Sequence, residues 1–157
     1  TNREGYAARL YFKMLFGNDF TRDNENFVNA ALNYGYAILR SFIAKTIVAY
    51  GLEPSLGIHH KNQLNQYNLA DDIIESYRPI VDNFVYQNHT QWDEKFSVSQ
   101  KAQLQLLLNS ATVIDANHHS VANAIELTIQ SIILSFENED VKLKLPDLID
   151  TSYFNYD

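Results

Sequence analysis

The stretch from Phe27 to Tyr50, FVNAALNYGYAILRSFIAKTIVAY, constrains the fold most. It contains no proline and one glycine. Phe27, Ala31, Tyr34, Ile38, Phe42 and Tyr50 fall near one stripe, with the small residues Ala30, Gly35 and Ala37 beside it. Apolar groups at three- and four-residue spacing predict a long amphipathic helix. Asp23 or Asn24 is placed to cap it, with Glu25 in its first turn. Gly51 suits its end, and Pro54 and Gly57 keep the next segment out of helix. Gly35 in a helix interior costs about 1 kcal/mol relative to alanine, which another backbone or a ligand coming close would explain.

The rest of the chain repeats this pattern. Residues from about Asn2 to Phe16 are periodic, and Gly17 is a reasonable stop. Helical spacing returns from about Gln63 to Asn88, broken or kinked at Pro79. Ser97 or Ser99 opens SQKAQLQLLLN, and ATVID reads as a short strand or an extended turn. Ser120 is placed to cap a last strong helix, SVANAIELTIQSIILSF. Residues 141–157 form an acidic, aromatic tail, either a packed arm or a mobile one. The expected fold is an all-α, multi-helix bundle covering residues 1–157 as one domain, with sites built between facing helices.

With 157 residues, 46% of them hydrophobic, the chain can bury a sizeable core and is not disordered. It has no cysteine, which excludes disulfide and thiolate chemistry and agrees with a cytoplasmic setting. No apolar run is long enough to span a membrane, and no signal peptide is visible. The net charge is −7, at first sight unlike a nucleic-acid binder. Yet up to Arg78 the chain carries eight basic and eight acidic residues, against four basic and eleven acidic after it. The first half is therefore free to face phosphates, although mixed surface charge describes the composition as well. The opening TNREGYAARL has no Met and no lead-in, and reads as a piece of a longer chain.

One constellation carries chemistry. Asp72 and Glu75 are three residues apart in a helical segment and can share a face. If the first and third helices pack together, Glu4 can join them, and His60, on the loop before the third helix, can close the site. Carboxylates with one imidazole suit Mg²⁺ or Mn²⁺, and the imidazole tilts the choice toward Mn²⁺. Such an ion polarises a phosphodiester and activates a hydroxyl or water. Spacing alone leaves the bland reading open: Glu4 fits a helix dipole, Asp71, Asp72 and Glu75 fit a solvated face, and His59 and His60 fit an ordinary loop. His118 and His119 beside Asp115 form a rival site, or a polar turn.

In order along the chain, NREGYAARLYF, NAALNYGYAIL, AYGLEPSLGIHH, NLADDIIESYRP and NAIELTIQSII resemble the helical C-terminal, catalytic domain of the CRISPR-associated integrase family that installs new spacers. The likeness is greatest to versions from type II-A systems. It implies that Glu4, in the E-G-x-A-A motif, His60, ending G-x-x-H, and Glu75 bind Mn²⁺ or Mg²⁺. It makes Asp72 a supporting acid, places Tyr34 beside the active site and puts Arg78 near DNA. On stripe position alone a core aromatic is the favoured reading of Tyr34, and Arg78 has the alternative of a surface partner for Asp82. The implied reaction is transesterification, in which the 3′-hydroxyl of a short DNA fragment attacks a phosphodiester at a CRISPR repeat. The implied partners are double-stranded DNA (prespacer and repeat), a second copy of the intact protein and the small partner protein of the adaptation complex. Members also carry an N-terminal β-rich domain that has no counterpart in this sequence. A fragment is therefore expected, and a non-catalytic DNA- or partner-binding module is the alternative function.

Overall fold

A computed structural model describes residues 3–147. The described residues form six α-helices: α1 (Arg3–Phe16), α2 (Phe27–Ala49), α3 (Asn68–Ile74), α4 (Arg78–Asn88), α5 (Val98–Gln105) and α6 (Val121–Glu137). Helix α2 touches α3, α4, α5 and α6, so it is the axis of the bundle. The cap of α2 is Asn26, later than Asp23 or Asn24, and its side chain accepts from the Asn29 amide. Gly51 closes α2 at φ +78°, and the Leu52 amide reaches back to the Ile47 carbonyl. That is the left-handed helix ending that glycine favours. Pro79 lies in the first turn of α4 and separates it from α3, so the chain breaks there instead of kinking. Ser97 caps α5 with a reciprocal Gln100 contact, and Ser120 caps α6.

The deepest stripe of α2 is Leu32, Leu39, Ile43 and Ile47. Phe27, Tyr34, Ile38 and Phe42 from the expected stripe are only partly buried and flank it. Periodicity identified the helix but put its inner face too far to one side. Gly35 is buried against α4 and the segment after α5, and its close neighbours are side chains. A Cβ there would lie 2.5 Å from Val81 Cγ1, 3.4 Å from Leu107 and 3.5 Å from Leu104. Alanine would gain about 1 kcal/mol of helix propensity, against about 1–3 kcal/mol for overpacking beside a stiff, β-branched neighbour. Gly35→Ala is expected to lower stability by up to about 2 kcal/mol on balance. A urea midpoint at or above wild type would contradict that.

The fold is mostly helical but not all-α. Strands Ala111–Ile114 (β1) and Asn117–Ser120 (β2) form an antiparallel hairpin. Asp115 and Ala116 make its two-residue turn, both with positive φ. This turn normally favours Asn-Gly or Asp-Gly, and its absence hid the hairpin. The first part of the expected tail, residues 141–147, packs on the body: Thr128 donates to the Lys144 carbonyl, and the Asp147 amide to the Val113 carbonyl. The remainder of the expected tail, from 148 on, lies outside the described residues. No helix among the described residues is long and apolar enough to cross a membrane.

Candidate active site

The loop between α2 and α3 is stitched down before it reaches His60. Asn68 donates to the carbonyls of Ser55 and Asn62, and the Leu69 amide to Pro54. Asp72 holds the tip. Its Oδ2 accepts from the amides of Ile58 (2.5 Å) and His59 (2.9 Å). Its Oδ1 accepts from the His60 amide (3.0 Å) and lies 2.5 Å from His60 Nδ1. Burial pushes the Asp72 carboxyl up; the His59 and His60 amides, the His60 ring and the Ile58 amide outweigh it and leave it below its ordinary value. An ionised carboxylate can only accept, so Nδ1 carries the hydrogen, and in the neutral ring Nε2 is the nitrogen with the lone pair. This is the arrangement that orients a metal-binding histidine from behind.

His60 and Glu75 line one groove of about 400 Å³, together with Tyr36, Arg40, Asp71 and Arg78. Asp72 does not line it. Within α3 it is Asp71, four residues before Glu75, that shares the groove, while Asp72 serves the loop. Arg40 grips Asp71 with two bonds, 2.6 and 2.8 Å, and Asn65 adds a third. Burial raises the Asp71 carboxyl, but these bonds bring it below its ordinary value. Arg78 pairs with Glu75 at 3.1 Å, not with Asp82, and its guanidinium lies over the Tyr36 ring. Both partners are about half exposed, so this pair is weak and Glu75 can exchange it for a stronger cation.

Tyr34 sits elsewhere. Its ring meets Phe96 edge-on at 5.6 Å, with Lys101 nearby. The tyrosine in the groove is Tyr36, two residues on and therefore on the other side of the helix. Its hydroxyl donates to buried Asp82, which also accepts from Tyr11 of α1 at 3.0 Å. Burial raises the Asp82 carboxyl further than the tyrosines and Arg22 and Arg78 lower it. Sequence reasoning missed Tyr36, Arg40 and Asp71. The signal for Tyr36 was the helix phase; Arg40 and Asp71 are far apart in sequence and carried none.

Glu4 stands in the exposed first turn of α1 and does not line the groove. Among the described residues no three His, Asp or Glu side chains converge closely enough to hold a metal ion. Helix α1 has no buried residue; Tyr11 and the Phe12, Phe16 and Phe20 rings are its anchors. The rival histidines do not cooperate. His118 and His119 are neighbours in β2 and so point to opposite faces, and Asp115 faces Lys144 at 3.7 Å.

The CRISPR associated protein Cas1 family profile matches residues 1–115. The chain belongs to the Cas1 family. It is 40% identical to the CRISPR-associated endonuclease Cas1 of Neisseria meningitidis serogroup C over 159 residues, which covers 99% of this chain and 52% of that relative. It is 33% identical to CRISPR-associated endonuclease Cas1 1 of Francisella tularensis subsp. novicida over 140 residues, covering 83% and 43%. A Cas1 of Thermus thermophilus is 36% identical over 91 residues. The chain thus spans about half the length of these two curated Cas1 relatives.

Proposed function

We propose that this chain is the metal-dependent DNA-processing domain of a spacer-acquisition integrase, a nuclease that inserts DNA by phosphodiester transesterification. The observation that carries the reading is the groove in which His60, backed by Asp72, faces the same space as Glu75 in a Cas1-family chain. One imidazole and a weakly paired carboxylate fit Mn²⁺ or Mg²⁺ in donor chemistry, and the Asp72 bond fits in orientation. The third donor is Glu4. Helix α1, which carries it, is held through Tyr11 in its second half, and Glu4 itself is exposed.

When bound, the ion stabilises charge on a phosphodiester and activates a hydroxyl or water. The remaining roles belong to the protein. Asp72 keeps the His60 proton on Nδ1. Arg40 stays paired with Asp71, while Arg78 is released to meet a phosphate once Glu75 turns to the ion. Tyr36 holds Arg78 against its ring. Double-stranded DNA is the substrate, and the intact protein works as a homodimer with a small partner protein.

The test is turnover on branched and linear duplex DNA. Cleavage or strand transfer is expected with Mn²⁺, none after chelation, and recovery when Mn²⁺ is restored. Turnover indifferent to chelation contradicts the reading. So does salt-dependent DNA binding without turnover under any metal, the behaviour of a non-catalytic module.

A further inference from the structure

Asp82 of α4 is a buried carboxylate that the chemistry above does not use. It forms no ion pair among the described residues. Its Oδ1 accepts from the Tyr36 hydroxyl of α2, and its Oδ2 from the Tyr11 hydroxyl of α1 at 3.0 Å. Burial, and then the Asp82 charge, hold both phenols above their ordinary value, so each keeps its proton and donates. The carboxylate is therefore a fork with one oxygen for each of two helices. We propose that Asp82 is a positioning residue: through Tyr11 it fixes α1 against the Tyr36 wall of the His60 groove, and with it the side from which Glu4 approaches the ion. The proposal rests on the reading of Glu4 as a metal donor.

Packing alone does not explain an acid at this position. Burying a carboxylate without a paired cation is costly, and an apolar side chain of similar size fills the same space without that cost. What the carboxylate adds is direction. Helix α1 has no buried residue, and Phe12 and Phe16 press its second half on the core through apolar contact, which is non-directional. Such contacts let the helix roll, whereas a hydroxyl bonded to a buried oxygen does not. Glu4 and Tyr11 are seven residues apart, close to two full turns, so they share a face of α1 and lie about 10 Å apart along its axis. The pin at Tyr11 thus sets the rotation of α1 that decides which way Glu4 faces. Tyr36 completes the link, because its ring lines the groove and holds the Arg78 guanidinium 5.3 Å from its centre.

The chain has no cysteine, so spin labels on Ala8→Cys and Ala102→Cys, both exposed positions, report the distance from α1 to α5 by pulsed electron paramagnetic resonance. A narrow distribution is expected, and a broad one after Tyr11→Phe or Asp82→Asn. Tyr11 lies outside the buried core and Asp82→Asn keeps the side-chain shape, so both variants are expected to fold. A distribution unchanged in both overturns the proposal. Mn²⁺ affinity of the unlabelled chain gives the readout that a merely structural bond would not move. Tyr11→Phe is expected to weaken Mn²⁺ binding by about 10-fold, the loss of one hydrogen bond to a charged group, and to have no further effect in a Glu4→Ala chain. An equal loss with and without Glu4 makes the bond structural only and overturns the positioning role. A broadened distribution, when wild type binds Mn²⁺ no better than Glu4→Ala does, removes Glu4 from the metal reading and leaves the Asp82 pin on α1 standing.

Discussion

Replacing His60 by alanine is expected to weaken Mn²⁺ binding by about 100-fold or more, and Asp72→Ala by about 10–100-fold, the usual effect of losing an outer partner of a metal-binding histidine. The two losses have different causes. His60→Ala removes the donor. Asp72→Ala leaves it in place but frees the ring to turn and exchange tautomers. It also strips the acceptor from the amides of Ile58, His59 and His60. Those amides lie on a partly exposed loop and can turn to water, so the stability cost is about 1–3 kcal/mol. Asp72→Asn separates charge from shape, because an amide oxygen still accepts but its NH₂ faces donors on the other side. Mn²⁺ titration followed by electron paramagnetic resonance reads all three. Wild-type affinity in Asp72→Ala would show that the carboxylate only shapes the loop.

Gly57→Ala is expected to damage the same site without touching a donor. A Cβ at Gly57 would collide with the His60 carbonyl oxygen, lie 2.8 Å from Asn68 Cβ and lie 3.0 Å from Asp72 Oδ2. A backbone carbonyl cannot step aside as a flexible side chain does. The loop must therefore reshape and lift His60 off Asp72. The expected result is a Mn²⁺ affinity about 10–100-fold weaker, as for Asp72→Ala, because the same orientation is lost. The bundle core is not involved, so the far-ultraviolet circular dichroism should keep its helical signal. A variant with wild-type affinity would mean that the loop tolerates the extra methyl and that His60 is held by something other than Asp72.

Long elements with end signals were legible in the sequence. Helices α1, α2 and α6 were expected within a few residues, because three or more turns of apolar spacing outweigh local noise. Phase was less legible than period. The inner face of α2 was set off by about one position. The expectation for Tyr34 came from the resemblance and not from phase, and it is Tyr36 that lines the groove. The hairpin was only half seen, since four-residue strands joined through Asp115 and Ala116 give neither length nor glycine as a signal. Within the candidate site, nearness of His60 to Asp72 and Glu75 followed from short loops. The division of labour between the two acids did not. It depends on where the loop tip lands, which the packing of Gly57 against His60 and Asn68 decides. The Arg40–Asp71 pair depends on how α2 crosses α3, and no pattern along the chain encodes that crossing.

Anomalous diffraction from crystals of this chain soaked in Mn²⁺, with and without DNA, tests the central claim most directly. The account predicts a manganese peak about 2.0–2.4 Å from His60 Nε2 and a Glu75 oxygen, the range for such cations, with Glu4 brought to the same ion. No peak beside His60 and Glu75, with DNA bound and Mn²⁺ in excess, would contradict it.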